Sequence, residues 1–176
     1  MQRRSSGILM PLSSLPSPHG IGDLGPEALR FADFLAAARQ SLWQVLPLYP
    51  TDPAHHNSPY SSVSSFAGSP ILISPELLAQ QGLLLPEEVS SLPPLPEGRA
   101  DYPAAGARKR DLLEAAFRRF YDDALPRLYG YLAHRCGGDA ALAEDLAQVA
   151  FTEAVRRRAS YDGRADPVTW LIGIAR

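Results

Sequence analysis

The sequence predicts a mixed fold, an N-terminal α/β segment followed by an all-α helical segment, and three observations carry that expectation. Residues 1–100 hold 14 of the 17 prolines, whereas residues 101–176 hold three. The first stretch has 5 Lys and Arg against 8 Asp and Glu, the second 12 against 11. Apolar residues in the first stretch fall in short runs between turn formers, and those in the second recur at helical spacing. Dense proline breaks helices and favours loops between short strands.

In chain order, Gly7–Met10 and Leu42–Leu48 read as short buried strands. Between them Pro26 opens a helix, Glu27 favours its dipole, and Ala28, Phe31, Ala32 and Leu35 form its apolar stripe. Strand, helix and strand with short connections is a βαβ unit, whose strands run parallel. Ile71–Ile73 reads as a further strand, Ser74 caps a short helix that Gly82 ends, and Leu92–Gly98 is an extended linker. A long helix is expected from near Ala104, with Leu113, Phe117, Phe120, Leu128 and Leu132 on a common face and an interruption or kink at Pro126. Gly137-Gly138 ends it, and Asp139 caps the next helix, roughly residues 140–158. That helix has Glu144 and Asp145 early and Arg156–Arg158 late, the order the macrodipole favours. Asp166-Pro167 starts a last helix carrying Trp170, Leu171 and Ile174, and the chain stops inside that amphipathic pattern, which suggests truncation.

Composition narrows the function classes. With 45% hydrophobic and 20% charged residues the chain is expected to be globular and soluble. A formal net charge of −2 gives no basic field toward nucleic acid or anionic membrane. Cys136 is the only cysteine, so no internal disulfide forms and a cytoplasmic location is expected. The apolar run Gly7–Met10 stops at Pro11, too short for a signal-peptide core or a membrane span. His55 and His56 are adjacent in a polar loop with nothing to complete a metal set, and no cofactor is called for.

Ser6-Gly-Ile-Leu-Met-Pro-Leu-Ser-Ser-Leu-Pro16 is followed by His19-Gly-Ile-Gly-Asp-Leu-Gly-Pro26 and by Gln40-Ser-Leu-Trp-Gln-Val-Leu-Pro-Leu48. Asn57-Ser-Pro-Tyr60, Ser65-Phe-Ala-Gly-Ser-Pro-Ile-Leu-Ile73, Asp101-Tyr102 and Lys109–Phe117 continue the series. These motifs resemble, in order, the opening of the amylomaltases, 4-alpha-glucanotransferases of glycoside hydrolase family 77, over about residues 1–120. The resemblance implies a TIM-barrel enzyme that cleaves α-1,4-glucans and passes the glucanosyl unit to another sugar. A complete barrel needs roughly 250 residues, so this stretch is expected to be an incomplete TIM-barrel βαβ unit. A glucan site needs aromatic faces for sugar rings and amide or hydroxyl groups for their hydroxyls. Asn57, Ser58 and Tyr60, in the loop after the second strand, supply that set, and by resemblance Tyr60 touches substrate.

Retaining transglycosylation needs a nucleophilic carboxylate and an acid/base carboxylate about 5–5.5 Å apart. In the family those acids lie on later strands, and none of residues 1–120 matches them. Asp23, Glu27 and Asp33 fall at helix-start or helix-face positions, explained by dipole and solvation. No catalytic residue is therefore assigned, and no turnover by the chain as given is expected. Trp43 is read as core.

From Tyr121 the motifs Leu125–Leu132, Ala143-Glu-Asp-Leu-Ala-Gln-Val-Ala-Phe151 and Pro167-Val-Thr-Trp-Leu-Ile-Gly-Ile-Ala-Arg176 resemble region 2 of extracytoplasmic-function RNA polymerase sigma factors. By that resemblance Asp145 and Gln148 dock on core RNA polymerase, with Leu142, Leu146 and Val149 as an adjoining apolar strip. A net charge near zero in this half does not favour binding promoter DNA alone. Three readings stand beside one another: a glucanotransferase fragment over 1–120 with weak α-glucan binding, a sigma-like docking module over 121–176, and a chimera of two gene fragments with no selected function.

Overall fold

The computed structural model describes residues 5–62, 64, 67–96 and 98–176. The basic start Met1–Arg4, Ser65 and Phe66 of the fifth motif, and Glu97 of the proline-rich linker lie outside the described residues. Contacts divide the chain into two compact units, Met1–Phe117 and Arg118–Arg176.

In the first unit β1 (Gly7–Leu9) and β2 (Leu42–Gln44) pair in parallel, Gly7 opposite Leu42, Ile8 opposite Trp43 and Leu9 opposite Gln44. α1 (Pro26–Ala37) connects them, so the predicted βαβ unit is present. A Cβ on Gly7 would lie 2.5 Å from the Leu42 carbonyl oxygen, so glycine is what lets the two strands approach. Phe31 of α1 meets Trp43 edge to face, ring centroids 4.9 Å apart, and the Trp43 indole N–H donates to the Met10 carbonyl at 2.9 Å. Trp43 is thus half-buried under α1, packed against a core of Leu12, Leu15, Ala28 and Leu72.

Two strand expectations need correction. The second strand ends at Gln44 instead of Leu48. Pro47 has no N–H to donate, and among the described residues no third strand holds the segment in a ladder. Residues Pro70–Leu72 form a 3₁₀ turn where a strand was expected over Ile71–Ile73. Pro70 fixes its φ in the helical range, and the N–H groups of Leu72 and Ile73 turn back to Ser69 and Pro70.

α2 (Pro75–Gln80) starts as expected, with the Ser74 hydroxyl accepting from the Leu77 N–H, and Gly82 follows at φ +74°. α3 (Pro86–Ser90) was not foreseen, although its signal is in the sequence. Pro86 stands at the first helical position and the Glu88 carboxylate reaches back to accept from the Leu85 N–H at 2.6 Å. The described part of the proline-rich stretch that follows has no helix or strand, yet it is tied down: the Leu95 N–H donates to the Pro18 carbonyl at 2.9 Å.

α4 (Tyr102–Arg135) runs through Pro126 without ending there. The ring costs one backbone hydrogen bond, and helix on either side outweighs it. Of the line expected along α4, Leu128 and Leu132 are buried and Phe120 packs beside them, whereas its first part is shifted. Leu112 and Ala116 pack with Leu84 in the first unit, while Leu113 is half-buried and Phe117 is more than half exposed. Steps of three and four residues select the inward positions, and alanine fills three of them, Ala105, Ala116 and Ala124.

In the second unit Ala124, Leu128 and Leu132 of α4 pack against Ala143, Ala147 and Ala150 of α5 (Ala140–Arg157) and Val168 and Leu171 of α6 (Pro167–Ile174). Alanine along α5 lets helix backbones approach closely. Gly137 and Gly138, at φ +63° and +89°, turn the chain after α4, and the Gly138 N–H donates to the Ala133 carbonyl. Asp139 and Asp166 cap α5 and α6 through the N–H groups of Leu142 and Thr169. Leu128 is fully buried between these helices. Leu128→Ala is expected to destabilise the second unit by about 2–5 kcal/mol, read as a lower denaturant midpoint in far-UV circular dichroism.

Candidate functional site

The loop after β2 builds its own frame. Asp52 caps a 3₁₀ turn at Pro53–His55 by accepting from the Ala54 N–H at 2.9 Å. That bond and the neighbouring His55 hold the Asp52 carboxyl below its usual range. His56 and Asn57 both adopt left-handed backbone, φ +54° and +55°, a conformation Asn tolerates better than most residues. Thr51 bridges to Ser62, and the Ser62 hydroxyl donates to the Pro50 carbonyl at 2.8 Å, closing the loop.

Within this frame the three predicted glucan residues behave differently. The Asn57 side-chain oxygen accepts from the Thr51 hydroxyl at 3.1 Å, and the Ser58 hydroxyl oxygen accepts from the Tyr60 N–H at 3.3 Å. Both therefore shape the loop. Tyr60 is 75% exposed, its ring open to solvent. Beside the loop is a cavity of about 70 Å³ whose wall includes Thr51, Pro59, Tyr49, Ser13, Ser69 and Tyr102 from the start of α4. Two tyrosines and three hydroxyl side chains on an apolar floor of Leu12, Leu46 and Leu72 match the surface a sugar ring needs. None of the cavity's lining residues is a carboxylate. The sequence reading missed Tyr49 and Tyr102 as wall residues, because 53 positions separate them and only folding brings them together.

His55 lies 3.1 Å from the Asp52 carboxylate through Nδ1. Among the described residues no group of three or more His, Cys, Asp or Glu side chains is placed to hold a metal ion.

A second polar cluster underlies this half and corrects the reading of Asp23. Glu27 pairs with Arg30 at 2.6 Å and Asp33 is exposed, as helix-face acids. Asp23 instead is buried, and the equally buried Lys109 ammonium donates to its Oδ2 at 2.5 Å and to the Ile73 carbonyl at 3.0 Å. Burial pushes the Asp23 carboxyl up while the Lys109 charge pulls it back; burial likewise lowers Lys109 against the pull of Asp23. Two acceptors on one ammonium favour the ionised pair. Alongside, His19 Nε2 is 3.0 Å from Glu76 Oε1, and the Ser74 hydroxyl donates to Glu76 Oε2 at 2.7 Å. The hydrogen bond from His19, and then that from Ser74, hold the Glu76 carboxyl down at about 2. No sequence signal pointed to these pairs, whose members are 86 and 57 residues apart.

In the second unit Asp145 and Gln148 are both exposed on α5, and Leu142, Leu146 and Val149 are exposed beside them. They share one outward helix face. Arg156 and Arg157 are engaged by Glu153 at 2.8 and 3.3 Å.

Residues 10–149 match the glycoside hydrolase family 77 profile, 4-alpha-glucanotransferase. The chain belongs to that family. The 4-alpha-glucanotransferase of Aquifex aeolicus is 51% identical over 117 residues, which are 66% of this chain and 24% of that protein. The Thermus thermophilus 4-alpha-glucanotransferase is 45% identical over 123 residues, covering 70% and 23%. The chain thus spans about a quarter of the length of the curated relatives it matches. The fold resembles an amylomaltase from Streptococcus agalactiae solved with acarbose, with TM-score 0.64 and 26% identity, covering 98% of this chain and 37% of that one. Among the described residues no helix is long and apolar enough to cross a membrane.

Glu76 makes the first unit sensitive to acid in a defined direction. Its folded pKa lies below the ordinary value of 4.5, so its stabilising contribution is complete above that pH and is lost as pH falls toward about 2. Glu76→Gln is expected to unfold more easily than the parent at pH 7, with the gap closing as pH approaches 2. Urea titrations across that range check it.

Proposed function

We propose that this chain carries a glucan-contacting portion of a 4-alpha-glucanotransferase and binds α-glucan weakly without transferring it. Membership of the family supports the substrate class. The observation that carries the reading is the hydroxyl- and tyrosine-walled cavity beside the exposed Tyr60. Asn57 and Ser58 contribute by holding the loop that presents Tyr60, and Tyr60 offers a ring face to a sugar. Transfer requires two carboxylates about 5–5.5 Å apart. The cavity wall supplies none, and the buried Asp23 and half-buried Glu76 are committed to Lys109, His19 and Ser74. Binding without turnover follows. We place this portion at residues 1–120, and the lone Cys136 favours the cytoplasm.

Retention in an amylose-containing native gel tests this. Tyr60→Ala is expected to weaken retention about 2- to 10-fold, the magnitude of one aromatic contact. Absence of retention by the parent chain overturns the proposal, and so does maltooligosaccharide disproportionation above a blank.

A second reading is favoured by the outward face of α5. Residues 121–176 would then act as a sigma-factor region 2-like segment that docks on core RNA polymerase. Leu142, Leu146 and Val149 offer an apolar strip at helical spacing, with Asp145 and Gln148 beside it to set register. Capture of core polymerase by the tagged chain, reduced several-fold in the Asp145→Ala and Gln148→Ala variants, is the expected result. No capture removes this reading, and failure of both binding assays leaves the chimera without selected function.

A further inference from the structure

We propose that His19 is a positioning residue for the tyrosine-walled cavity: held by Glu76, it fixes the strap of residues 19–24 that sets Ile21, Ser13, Leu72 and Tyr102 in the cavity wall. The inference rests on the reading of that cavity as a glucan surface.

The anchor comes first. His19 is 1% exposed, and its Nε2 meets Glu76 Oε1 at 3.0 Å, while its buried Nδ1 has no partner among the described residues. Buried polar atoms are normally paired, so the ring's orientation depends on its one polar contact, Glu76. The Ser74 hydroxyl holds Glu76 Oε2 at 2.7 Å, which leaves Oε1 for His19. The Glu76 carboxyl, held down at about 2, is ionised at neutral pH and is a strong acceptor. Neither His19 nor Glu76 lines the cavity, so any effect on a sugar passes through the strap.

The residues that follow His19 reach the wall in several ways. Ile21 is itself a wall residue and is buried. The Gly22 N–H donates to the Ser13 carbonyl at 3.3 Å and the Leu24 N–H to the Leu72 carbonyl at 3.0 Å, and both Ser13 and Leu72 line the cavity. The Gly20 carbonyl accepts from the Asp101 N–H at 2.9 Å. The Asp101 carboxylate in turn accepts from the Ala104 N–H at 2.9 Å, which fixes the first turn of α4 and with it Tyr102.

The strap has little room to shift. A Cβ on Gly20 would lie 2.7 Å from Leu95 Cδ1, and one on Gly22 would collide with the Leu12 and Leu15 carbonyls. Close packing passes a displacement on instead of absorbing it. Asp23 is held by Lys109 toward one end of the strap, and His19 is the side-chain anchor at the other.

The full chain labelled with 3-fluorotyrosine tests this by fluorine NMR, with the Tyr102 resonance assigned through Tyr102→Phe. His19→Phe keeps a ring in place and removes the donor. It is expected to move the Tyr102 resonance of the folded protein and to weaken retention in an amylose-containing gel about 2- to 10-fold, the scale of one hydrogen bond. His19→Gln, whose amide donates to Glu76, is expected to restore both. A role in stability alone lowers the urea midpoint and leaves the native Tyr102 resonance where it is. Glu76→Ala breaks the same contact from its half-exposed side and serves if His19→Phe does not fold. An unmoved Tyr102 resonance in the folded variant, no rescue by His19→Gln, or failure of both disruptive variants to fold overturns the inference. A moved resonance in a chain whose parent retains no glucan keeps the positioning role and removes the proposed function; equal retention by parent and variants does the reverse.

Discussion

The first unit is organised around one buried charge. Lys109 loses nearly all its contact with water, and stripping an ammonium of solvent costs several kcal/mol even after relaxation. That cost is met only if Asp23 Oδ2 and the Ile73 carbonyl stand where they do. Asp23 therefore cannot drift, and neither can Gly25, where a Cβ would fall 2.5 Å from the Ser74 hydroxyl and 2.6 Å from Asp23 Oδ1. α1 begins at the next residue, so its position over Trp43 follows from the placement of a charge on α4. The His19–Glu76 contact ties the same loop to α2. Further ties come from the Asp101 N–H to the Gly20 carbonyl and from Arg108 to the Pro18 carbonyl. A loop of residues 17–25 thus serves as the hub through which the start of α4, α2 and the βαβ unit are joined.

This hub also explains what the sequence revealed and what it hid. Local rules were legible. Pro26, Ser74, Asp139 and Asp166 marked helix starts, each with a side chain or ring that acts within four residues. The parallel pairing of β1 and β2 was also legible, because a helix between two apolar runs leaves few topologies. Non-local pairs were not. Asp23 read as a helix-start acid since Pro26 stands three residues on, and nothing near it announces Lys109. The strand expected at Ile71–Ile73 failed for a similar reason: a β-branched run pairs only if an adjacent strand is there, and Pro70 supplied a local alternative.

The candidate site divides in the same way. The loop motif Asn57-Ser-Pro-Tyr60 was recognisable, but the roles within it were not uniform. Asn57 and Ser58 spend their hydrogen-bonding oxygens on Thr51 and the Tyr60 N–H, so both shape the loop. The cavity wall draws on Ser13, Tyr49, Ser69 and Tyr102, residues from four separate segments, and no linear motif encodes such a surface. On α5 Asp145 and Gln148 were singled out by resemblance alone, and both are exposed because the alanines at 143, 147 and 150 form the inward face.

Binding and chemistry are separable in a glycosyl-transferring site. Contacts made equally to ground state and transition state hold a sugar but do not lower its barrier, whereas charge placed where the oxocarbenium ion develops does. The cavity wall offers rings, hydroxyls and an apolar floor, with no carboxylate among its lining residues. The acids of this unit are engaged for a different purpose, since Asp23 pairs with the buried Lys109 ammonium and Glu76 meets His19 and the Ser74 hydroxyl. Releasing either carboxylate toward a substrate would leave Lys109 or His19 buried beside an unmet partner. The two acids of this segment that meet buried partners thus serve the fold.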